Sequence, residues 1–265
     1  MLLNKKKIKK KKIIVSIIIP YFKKKKYFIK TIKSIKKQSF SNYEVILIYD
    51  DVDKNDINFV NFEINKFKNK KVIINKKNLG AGLSRNRGIK LAKGKFIAFC
   101  DSDDIWNKNK LKNQLNFMRK NNYNFTHTSY SIINNKSKKI GFFKIEKKIK
   151  YENLLKSCDV GLSTVICEKK LLENNKFPNL KTKEDYCLWL KILKNKKILN
   201  GLNQELSAWR LTDNSLSSSI FQKIKDSFKL YYIYEKFNFL KAIFFVFRLI
   251  LNALMKKISI YFFIK

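Results

Sequence analysis

Hydrophobic residues in the first hundred positions of the chain follow two different spacings. Four short apolar runs have the length and the β-branched or aromatic character of buried strands: residues 13–19, 45–49, 72–74 and 96–100. The segments between them carry apolar residues at helical spacing, as Phe28, Ile32 and Ile35 do among lysines. Strands that alternate with helices form parallel sheets with crossover connections. The pattern therefore predicts an α/β fold with a Rossmann-like, mostly parallel central sheet flanked by helices.

The middle of the chain adds one more helix and two more strands. Helical spacing predicts a helix over residues 105–120, with three apolar side chains turned inward: Leu111, Leu115 and Met118. Residues 125–133 and 164–167 have strand character. His127 lies within the first of these strands, where a packed or hydrogen-bonded histidine is expected rather than a metal ligand.

The last fifty residues predict a C-terminal helical extension of different character. Residues 221–234 and 239–255 are helical by length, and the second segment is apolar around most of its circumference, interrupted by Arg248. It is too short to cross a bilayer, which takes roughly 20 apolar residues. Amphipathic helices lying in an anionic membrane interface are predicted. Docking on the rest of the chain, or on a second copy in a homodimer, is the alternative.

Composition supports a folded chain and limits its partners. The hydrophobic fraction of 45% and the aromatic fraction of 14% exclude a disordered chain despite the formal charge of +39. Only five of the 59 basic residues are Arg, the side chain that usually recognises bases and phosphates. No nucleic-acid partner is therefore expected, and attraction to an anionic membrane surface is preferred over a merely solvated basic surface. Three segments are expected: a basic tail over 1–12, a catalytic domain over 13–217 and the C-terminal helices over 218–265.

Cysteine and histidine usage gives no sign of a zinc site or a disulfide framework. The four cysteines, Cys100, Cys158, Cys167 and Cys187, show no CxxC spacing, and there is one histidine. The basic run at residues 5–12 is followed by an apolar segment too short for a signal peptide. A reduced, cytoplasmic setting is expected, with peripheral association at the inner face of the cell membrane.

Three carboxylates follow the predicted strand at residues 96–100. Asp101, Asp103 and Asp104 crowd one loop, where like charges repel unless a cation neutralises them. A divalent cation is one explanation for the cluster. A polar turn with Asp103 or Asp104 as a helix cap is the other, and the loop alone does not separate the two.

Two earlier strand ends also carry residues suited to a ligand. Pro20-Tyr21 and Asp50-Asp51 follow the first and second predicted strands. Ligands in open α/β sheets bind outside the carboxyl ends of the parallel strands, so these residues and the three-carboxylate loop should meet at one edge. The convergence favours a crevice for a charged ligand with a metal.

The order of these motifs resembles the nucleotide-sugar half of glycosyltransferase family 2. The matching segments are Val15 to Tyr21, Tyr49-Asp50-Asp51, Asn78-Leu79-Gly80, Arg85 to Gly88 and Asp101 to Asp104. Further along, Glu184-Asp185-Tyr186 and Leu188-Trp189-Leu190 look like the acceptor-side motif of the family. Each segment is weak alone, and the ordered set over residues 13–217 carries the resemblance.

The resemblance implies a GT-A fold and an inverting transfer of sugar from a nucleotide-sugar, with a UDP-sugar favoured, to a hydroxyl of a lipid-linked or surface-polysaccharide acceptor. On the donor side, it implies that Pro20 and Tyr21 line the base pocket and that Asp50 and Asp51 contact base and ribose. It also implies that Arg85 lies near the phosphates. Asp103 is implied to bind Mg²⁺ or Mn²⁺, and Asp101 to hold the ribose or assist at the metal. On the acceptor side, it implies Asp185 as the catalytic base, with Glu184, Trp189 and Arg210 beside it.

The implied roles of the metal and of the base each have a physical reason. Cleavage of the bond to the diphosphate builds negative charge on its oxygens, and a cation held by Asp103 would stabilise that charge. An acceptor hydroxyl attacks poorly unless a carboxylate such as Asp185 takes its proton, a contribution of about 10²–10⁴-fold. Glu184 is the near rival for this role, and an acidic first turn of a helix is the structural alternative for both residues.

Two positions depart from the family pattern. Thr212 stands where many relatives have a His that assists metal or diphosphate binding. Either Asp103 and water suffice, or Arg210 with Ser215 and Ser217 completes the diphosphate site. The small-residue turn usual after the first Asp pair is replaced by Val52-Asp53-Lys54.

Two other functions compete with sugar transfer. A nucleotidyltransferase shares a nucleotide-binding α/β sheet, but the N-terminal part has no Gly-rich, Lys-bearing phosphate loop. A basic membrane- or nucleic-acid-binding protein without transferase activity would explain the charge alone.

Overall fold

The structure of the protein is a computed structural model that describes residues 12–195, 197–212 and 219–264. Its strands are β1 Val15–Tyr21, β2 Tyr43–Tyr49, β3 Lys70–Ile74, β4 Phe96–Phe99, β5 Ile105–Trp106, β6 Phe125–Ile133, β7 Lys139–Phe143, β8 Lys148–Ile149, β9 Ile166–Glu168 and β10 Leu199–Arg210. Its helices are α1 Lys25–Lys36, α2 Ile57–Ile64, α3 Ala81–Leu91, α4 Lys110–Lys120, α5 Tyr151–Lys156, α6 Lys170–Glu173, α7 Glu184–Lys194, α8 Ile220–Lys229 and α9 Phe239–Ile264. The predicted basic tail lies almost wholly outside the described residues.

The described strands form one central sheet with helices on both faces. The strand order is β3-β2-β1-β4-β9-β6-β10-β5, with β7 paired to β6 and β8 paired to β10. The first four strands of this order run parallel, as the alternation of strands and helices predicts. β9 runs antiparallel to both β4 and β6, whereas β6 and β10 are parallel. The α/β prediction is confirmed, and the second half of the sheet mixes the two directions.

Alternate residues of β1 supply two hydrophobic layers on opposite faces of the sheet. Ile17 and Ile19 belong to the layer that α1, α2 and α4 cover, where the predicted inward residues Phe28, Ile32, Ile35, Leu111 and Met118 are buried. Ile18 belongs to the layer on the other face, with residues of α3, α5 and α7. The period of two in a strand explains this division.

Two local predictions are wrong in detail. Pro20 and Tyr21 do not end β1 but continue it, because their partner strand β2 extends to Tyr49 and the amide of Asp50 donates to the carbonyl of Tyr21. Residues 105–106 are not helical, since they pair with β10 and the Trp106 indole N–H donates to the carbonyl of Ser163. These tertiary contacts hold the chain extended until α4 begins.

The C-terminal helices dock on the preceding part of the chain through one face. Tyr231, in a π-helical turn at Leu230–Tyr234, is fully buried, and its hydroxyl lies 2.9 Å from that of Tyr186 on α7. Ala242 of α9 is buried as well, whereas Leu240 on the same helix is 78% exposed. The docking alternative is therefore correct for one face of α9. Among the described helices, none combines the length and the apolar character that crossing a membrane requires.

Candidate active site

The carboxyl ends of the parallel strands meet at one edge of the sheet, as predicted. Tyr21 at the end of β1 stacks on Tyr49 at the end of β2, with ring centroids 5.3 Å apart. Its hydroxyl donates to Asp56 Oδ2 at 2.6 Å, and its side chain is fully buried. Pro20 is buried beside it. The ring of Tyr21 therefore forms the floor of the β1–β2 edge and presents no open surface to a base in this conformation.

Asp50 holds the loop that precedes α3. Its carboxylate accepts hydrogen bonds from the amides of Leu79 and Gly80, each at 2.8 Å, and from the Asn75 side chain at 2.6 Å. Gly80 has a φ of +81°, which glycine adopts without strain and other residues rarely do. The first predicted base contact is thus engaged in positioning the chain. Asp51 is buried next to it, and the Lys23 ammonium lies 3.9 Å from its carboxylate.

Arg85 joins the loop at residues 101–104, called the aspartate loop below, to the start of α7. Its Nη2 donates to Asp101 Oδ1 and its Nη1 donates to Glu184 Oε1, both at 2.7 Å. The guanidinium is almost fully buried and lies over the ring of Phe177. The acidic neighbours raise the pKa of Arg85 against the opposing effect of burial, so it stays charged. One buried cation thereby sets the spacing between two acidic groups that lie 83 positions apart in the chain.

Gly82 allows α3 to approach α7 closely. A Cβ atom at this position would lie 3.0 Å from Cγ of Glu184 and 3.1 Å from the carbonyl oxygen of Pro178. Glycines in a loop before a helix, such as Gly80 and Gly82, can free the backbone for a ligand. At Gly82 the close neighbour is instead the first turn of α7.

The acidic pair at the start of α7 has the electrostatics of a proton acceptor. Burial and the charge of Asp185 raise the pKa of Glu184, while its ion pair with Arg85 opposes the rise. Burial likewise raises the pKa of Asp185, and the charge of Arg85 opposes it. A carboxylate with a raised pKa is a stronger base. The ion pair with Arg85 is made by Glu184. Asp185 Oδ1 accepts a hydrogen bond from the amide of Tyr186.

Asp103 is paired with a lysine from the loop after β1. Lys24 Nζ lies 2.8 Å from Asp103 Oδ2 and 3.5 Å from the hydroxyl of Thr212. Burial raises the pKa of Asp103, and the Lys24 ammonium opposes this. The position where many relatives have a His is thus approached by the amino group of Lys24.

Asp104 and Ser163 fasten the aspartate loop from beneath. Asp104 Oδ1 accepts from the amide of Arg210 at 2.9 Å, and its Oδ2 accepts from the Ser163 hydroxyl at 2.5 Å. The same hydroxyl accepts from the amide of Asp101 at 3.0 Å. Burial and the charges of Asp103 and Asp101 raise the pKa of Asp104. The prediction of Asp104 as a helix cap is wrong, because α4 begins after Asn109 and Asp104 instead ties β4 to β10.

Arg210 and Trp189, which the resemblance places on the acceptor side, are both buried and contact protein groups. Arg210 donates from Nε to the carbonyl of Asp103 and from Nη1 to the carbonyl of Asn134, so it braces the aspartate loop. Trp189 is fully buried and packs against Phe99, Phe125 and Phe177. Trp189 therefore supports the site from the core and does not line it, contrary to the prediction. Ser215 and Ser217, the suggested helpers of Arg210, lie outside the described residues.

Asp101 and Asp103 fit a divalent cation that shares its ligands with a substrate. Within the described residues, no group of three or more His, Cys, Asp or Glu side chains is arranged to hold a metal ion. Mg²⁺ and ions like it are commonly held by one or two carboxylates, with water and substrate phosphates completing the shell. The two aspartates supply that donor set, and the ammonium at Asp103 Oδ2 shows that a cation is accommodated there.

Sequence reasoning missed Lys24 and Ser163. Lys24 stands in a run of four lysines, Lys23 to Lys26, within a chain rich in lysine, so its type carried no signal. Its place directly after β1 was the available clue, because loops at the carboxyl ends of strands line the site. Ser163 lies between predicted elements, and no local pattern connects it to Asp101 and Asp104.

Buried histidine and tryptophan residues of the region have structural roles. His127 is fully buried, and burial lowers its pKa to about 4, so it is neutral and packed as predicted. Trp106 is buried against the segment that carries Ser163.

Known proteins of similar sequence are glycosyltransferases. The family model described as Glycosyl transferase family 2 matches residues 16–178. The Escherichia coli protein WfgD, named as a UDP-Glc:alpha-D-GlcNAc-diphosphoundecaprenol beta-1,3-glucosyltransferase, is 41% identical over 199 residues, which are 74% of this chain and 76% of WfgD. TuaG of Bacillus subtilis, named as a putative teichuronic acid biosynthesis glycosyltransferase, is 30% identical over 234 residues, which are 88% of this chain and 92% of TuaG.

Solved structures with a similar fold are glycosyltransferases as well. Residues 1–349 of TarS from S. aureus, in complex with UDP-GlcNAc, align with a TM-score of 0.69 at 23% identity, over 83% of this chain and 65% of that one. A mannosyltransferase from Pyrobaculum calidifontis, in complex with GDP-Man and Mn²⁺, aligns with a TM-score of 0.63 at 11% identity, over 84% of this chain and 64% of that one. These likenesses show the fold, which is GT-A. By sequence, this chain belongs to glycosyl transferase family 2 and is a glycosyltransferase.

Proposed function

We propose that this glycosyltransferase moves a sugar from a UDP-sugar to a hydroxyl of a lipid-linked oligosaccharide acceptor, with inversion at the anomeric carbon. The observation that carries the proposal is the bridge formed by Arg85, which joins Asp101 to Glu184. Asp103 lies in the same loop as Asp101, and Asp185 is adjacent to Glu184 in the chain. The names of the E. coli relatives, which specify UDP-Glc and a GlcNAc-diphosphoundecaprenol acceptor, support the choice of donor and acceptor.

The chain's own residues would divide the work of an inverting displacement. Asp185 takes the proton of the acceptor hydroxyl while that oxygen forms its bond to the anomeric carbon. The bond from that carbon to the diphosphate breaks, and its electron pair leaves with UDP. Asp103, with Asp101, would hold Mg²⁺ or Mn²⁺, which stabilises the charge that develops on the departing diphosphate. Arg85 keeps the two acidic groups at a fixed separation.

Transfer itself tests the proposal. Purified protein is incubated with Mn²⁺, a panel of UDP-sugars and a short-chain polyprenyl-diphosphate-GlcNAc acceptor, and the product is analysed by mass spectrometry and NMR. One UDP-sugar should give a glycosylated lipid with the anomeric configuration opposite to that of the donor. Transfer with retention, or uridylyl transfer that releases the sugar 1-phosphate instead of UDP, would refute the assignment. GDP-sugars are the matched control, because they carry the same sugars on a nucleotide with a different base.

We further propose that the exposed apolar face of α8 and α9 rests on an anionic membrane surface. A groove between these helices is lined by Phe221, Ile224, Phe228, Ile243, Phe247 and Ile250, with Lys225 and Lys229 at its rim. Phe221 is 77% exposed, and Leu240 is 78% exposed. Large apolar side chains beside lysines suit the boundary between acyl chains and negatively charged headgroups. Such a position would bring a lipid-linked acceptor to the enzyme.

Vesicle flotation tests the membrane contact. The protein should float with vesicles that contain phosphatidylglycerol and less with pure phosphatidylcholine. Phe221→Glu with Leu240→Glu should reduce flotation severalfold. Phe62→Glu is the control, because Phe62 on α2 is similarly exposed, at 66%, but lies on another helix. Unchanged flotation of the double variant would refute the membrane contact. Dimers of the wild-type protein in sedimentation that the double variant does not form would assign the surface to a second copy instead.

A further inference from the structure

We propose that the Lys24 ammonium is a direct contact for the donor diphosphate, and that it holds Asp103 until the diphosphate arrives. This inference rests on the proposed nucleotide-sugar donor and adds a binding residue to it. The observation behind it is the ion pair of 2.8 Å between Lys24 Nζ and Asp103 Oδ2 at the carboxyl end of the sheet.

The direction of Lys24 differs from that of its lysine neighbours. Lys23 turns to Asp53, and Lys25 turns to Asp56, with side chains that are 55% and 59% exposed. The side chain of Lys24 is 23% exposed and its partner Asp103 is 15% exposed. The pair is therefore drawn into the site but remains within reach of a ligand.

Two other basic side chains of the site, Arg85 and Arg210, are held by protein partners, although Arg210 Nη2 has no hydrogen-bond partner among the described residues. Arg85 is held by two carboxylates, and it is almost fully buried between them. Arg210 is held by backbone carbonyls of Asp103 and Asn134 and lies over the ring of Tyr27. Lys24 is instead paired with the carboxylate that the proposed function assigns to a cation. When a cation takes Asp103, the ammonium loses its partner.

A diphosphate supplies the partner that Lys24 would then need. An ammonium is a compact charge with three donors, and lysine is a frequent phosphate ligand. Thr212 Oγ1 lies 3.5 Å from Lys24 Nζ, at the position where many relatives have a His. Lys24 thus brings a cationic donor to a place where the threonine provides none.

Calorimetric titration with UDP and with uridine separates a diphosphate contact from all other effects. The wild-type protein, Lys24→Met, Lys24→Arg and Lys26→Met are titrated with each ligand in the presence of Mn²⁺. Lys24→Met should weaken UDP binding by about tenfold or more, as expected for loss of a charged hydrogen bond, and should leave uridine binding unchanged. Lys24→Arg should restore part of the loss. Lys26→Met is the control, because Lys26 carries the same charge two positions further along the chain but is exposed, with its ammonium over the ring of Tyr27.

Mn²⁺ binding without nucleotide supplies a second readout. Removal of the competing ammonium should tighten Mn²⁺ binding to Lys24→Met, measured as the free-ion signal in electron paramagnetic resonance. Equal UDP affinities for wild type and Lys24→Met would overturn the inference and leave the donor proposal standing. Wild-type protein that binds UDP no better than uridine would overturn both. Thermal unfolding of each variant confirms that the fold is retained.

Discussion

Arg85 and Glu184 form a buried ion pair in which Nη1 lies 2.7 Å from Oε1, and this pair couples the two halves of the active site. Arg85 belongs to α3, which follows the third parallel strand, whereas Glu184 begins α7. The second arm of the guanidinium reaches Asp101 at the end of β4. The separation between the proposed metal site and the proposed base is therefore set by one side chain rather than by the course of the loops.

Removal of this guanidinium should damage both stability and transfer. Arg85→Met leaves two acidic side chains beside each other without their cation, and such a loss typically costs about 3–5 kcal/mol. Urea unfolding should show a decrease of that order in the free energy of unfolding. Arg87→Met is the control, because Arg87 is exposed on the same helix. A decrease no larger than that of the control would show that the buried ion pairs do not hold the site together.

Substitution of the proposed base should separate chemistry from donor binding. Asp185→Asn keeps the shape of the side chain and cannot accept a proton, so kcat should fall by about 10²–10⁴-fold while UDP affinity is unchanged. Stopped assays of product formation and calorimetry give the two quantities. Glu184→Gln is the comparison, and it should affect stability as well because Glu184 pairs with Arg85. Full activity of Asp185→Asn would transfer the role of base to Glu184.

The kcat of the wild-type enzyme should still rise with pH at values above the ordinary pKa of an aspartate. Burial raises the pKa of Asp185, so a larger fraction is protonated at mildly acidic pH than for an exposed aspartate. Only the ionised form accepts a proton, so kcat should increase with pH through the raised pKa. A kcat that is constant from pH 4.5 to 8 would exclude a buried carboxylate base.

Loss of the Ser163 hydroxyl should loosen the aspartate loop. Ser163→Ala removes the donor to Asp104 Oδ2 and the acceptor for the amide of Asp101. A buried polar group left without a partner costs about 1–3 kcal/mol, and urea unfolding should register that decrease. Mn²⁺ affinity in the presence of UDP should fall as well, because Asp101 and Asp103 share the loop. Ser157→Ala is the control, because the Ser157 hydroxyl donates to Asp159 Oδ1. A normal Mn²⁺ affinity would separate the loop anchor from the metal site.

The buried amine of Lys110 should make stability rise with pH. Its Nζ donates to Gln114 Oε1 and the carbonyl of Thr164, and burial without a carboxylate partner among the described residues lowers its pKa to about 7. Between pH 7 and 9 the unfolded chain binds a proton that the folded protein has released. The free energy of unfolding of wild type, relative to Lys110→Met, should therefore rise by roughly 1.4 kcal/mol per pH unit.

The comparison with Lys110→Met cancels most contributions from other groups. The buried thiol of Cys167, for example, is present in both proteins. Lys112→Met provides the exposed counterpart from the same helix and should show no such pH dependence. A difference between wild type and Lys110→Met that is constant from pH 7 to 9 would contradict the lowered pKa of the amine.

Much of the fold and the identity of the acidic residues could be predicted from local pattern. The apolar runs of β1, β2 and β4 have a period and a length that buried parallel strands require. Their ends carry Asp50 and Asp101, which the topology then places at one edge. Prediction was weaker where a tertiary contact overrides local preference. Ile105 and Trp106 are extended because they pair with β10, which is far away in the chain.

The contacts that individual side chains make could not be predicted from the sequence. Trp189 stands in a motif that resembles an acceptor site, yet its side chain faces the aromatic cluster beneath the sheet. Lys24 is one of four consecutive lysines, and only the turn after β1 directs its ammonium at Asp103. Arg210 faces the aspartate loop because β10 passes beside it. Side-chain direction depends on neighbours from other elements, which local spacing does not specify.

The α/β architecture, the family and the carboxylates at the strand ends can be inferred from the sequence, because hydrophobic period and motif order are local properties of the chain. The bridge of Arg85 between Asp101 and Glu184 and the pairing of Lys24 with Asp103 follow from the packing of distant elements. Charged groups far apart in sequence become partners when burial removes water and leaves each charge to the nearest opposite one. That selection requires the packed arrangement of α3, α7 and the strand ends.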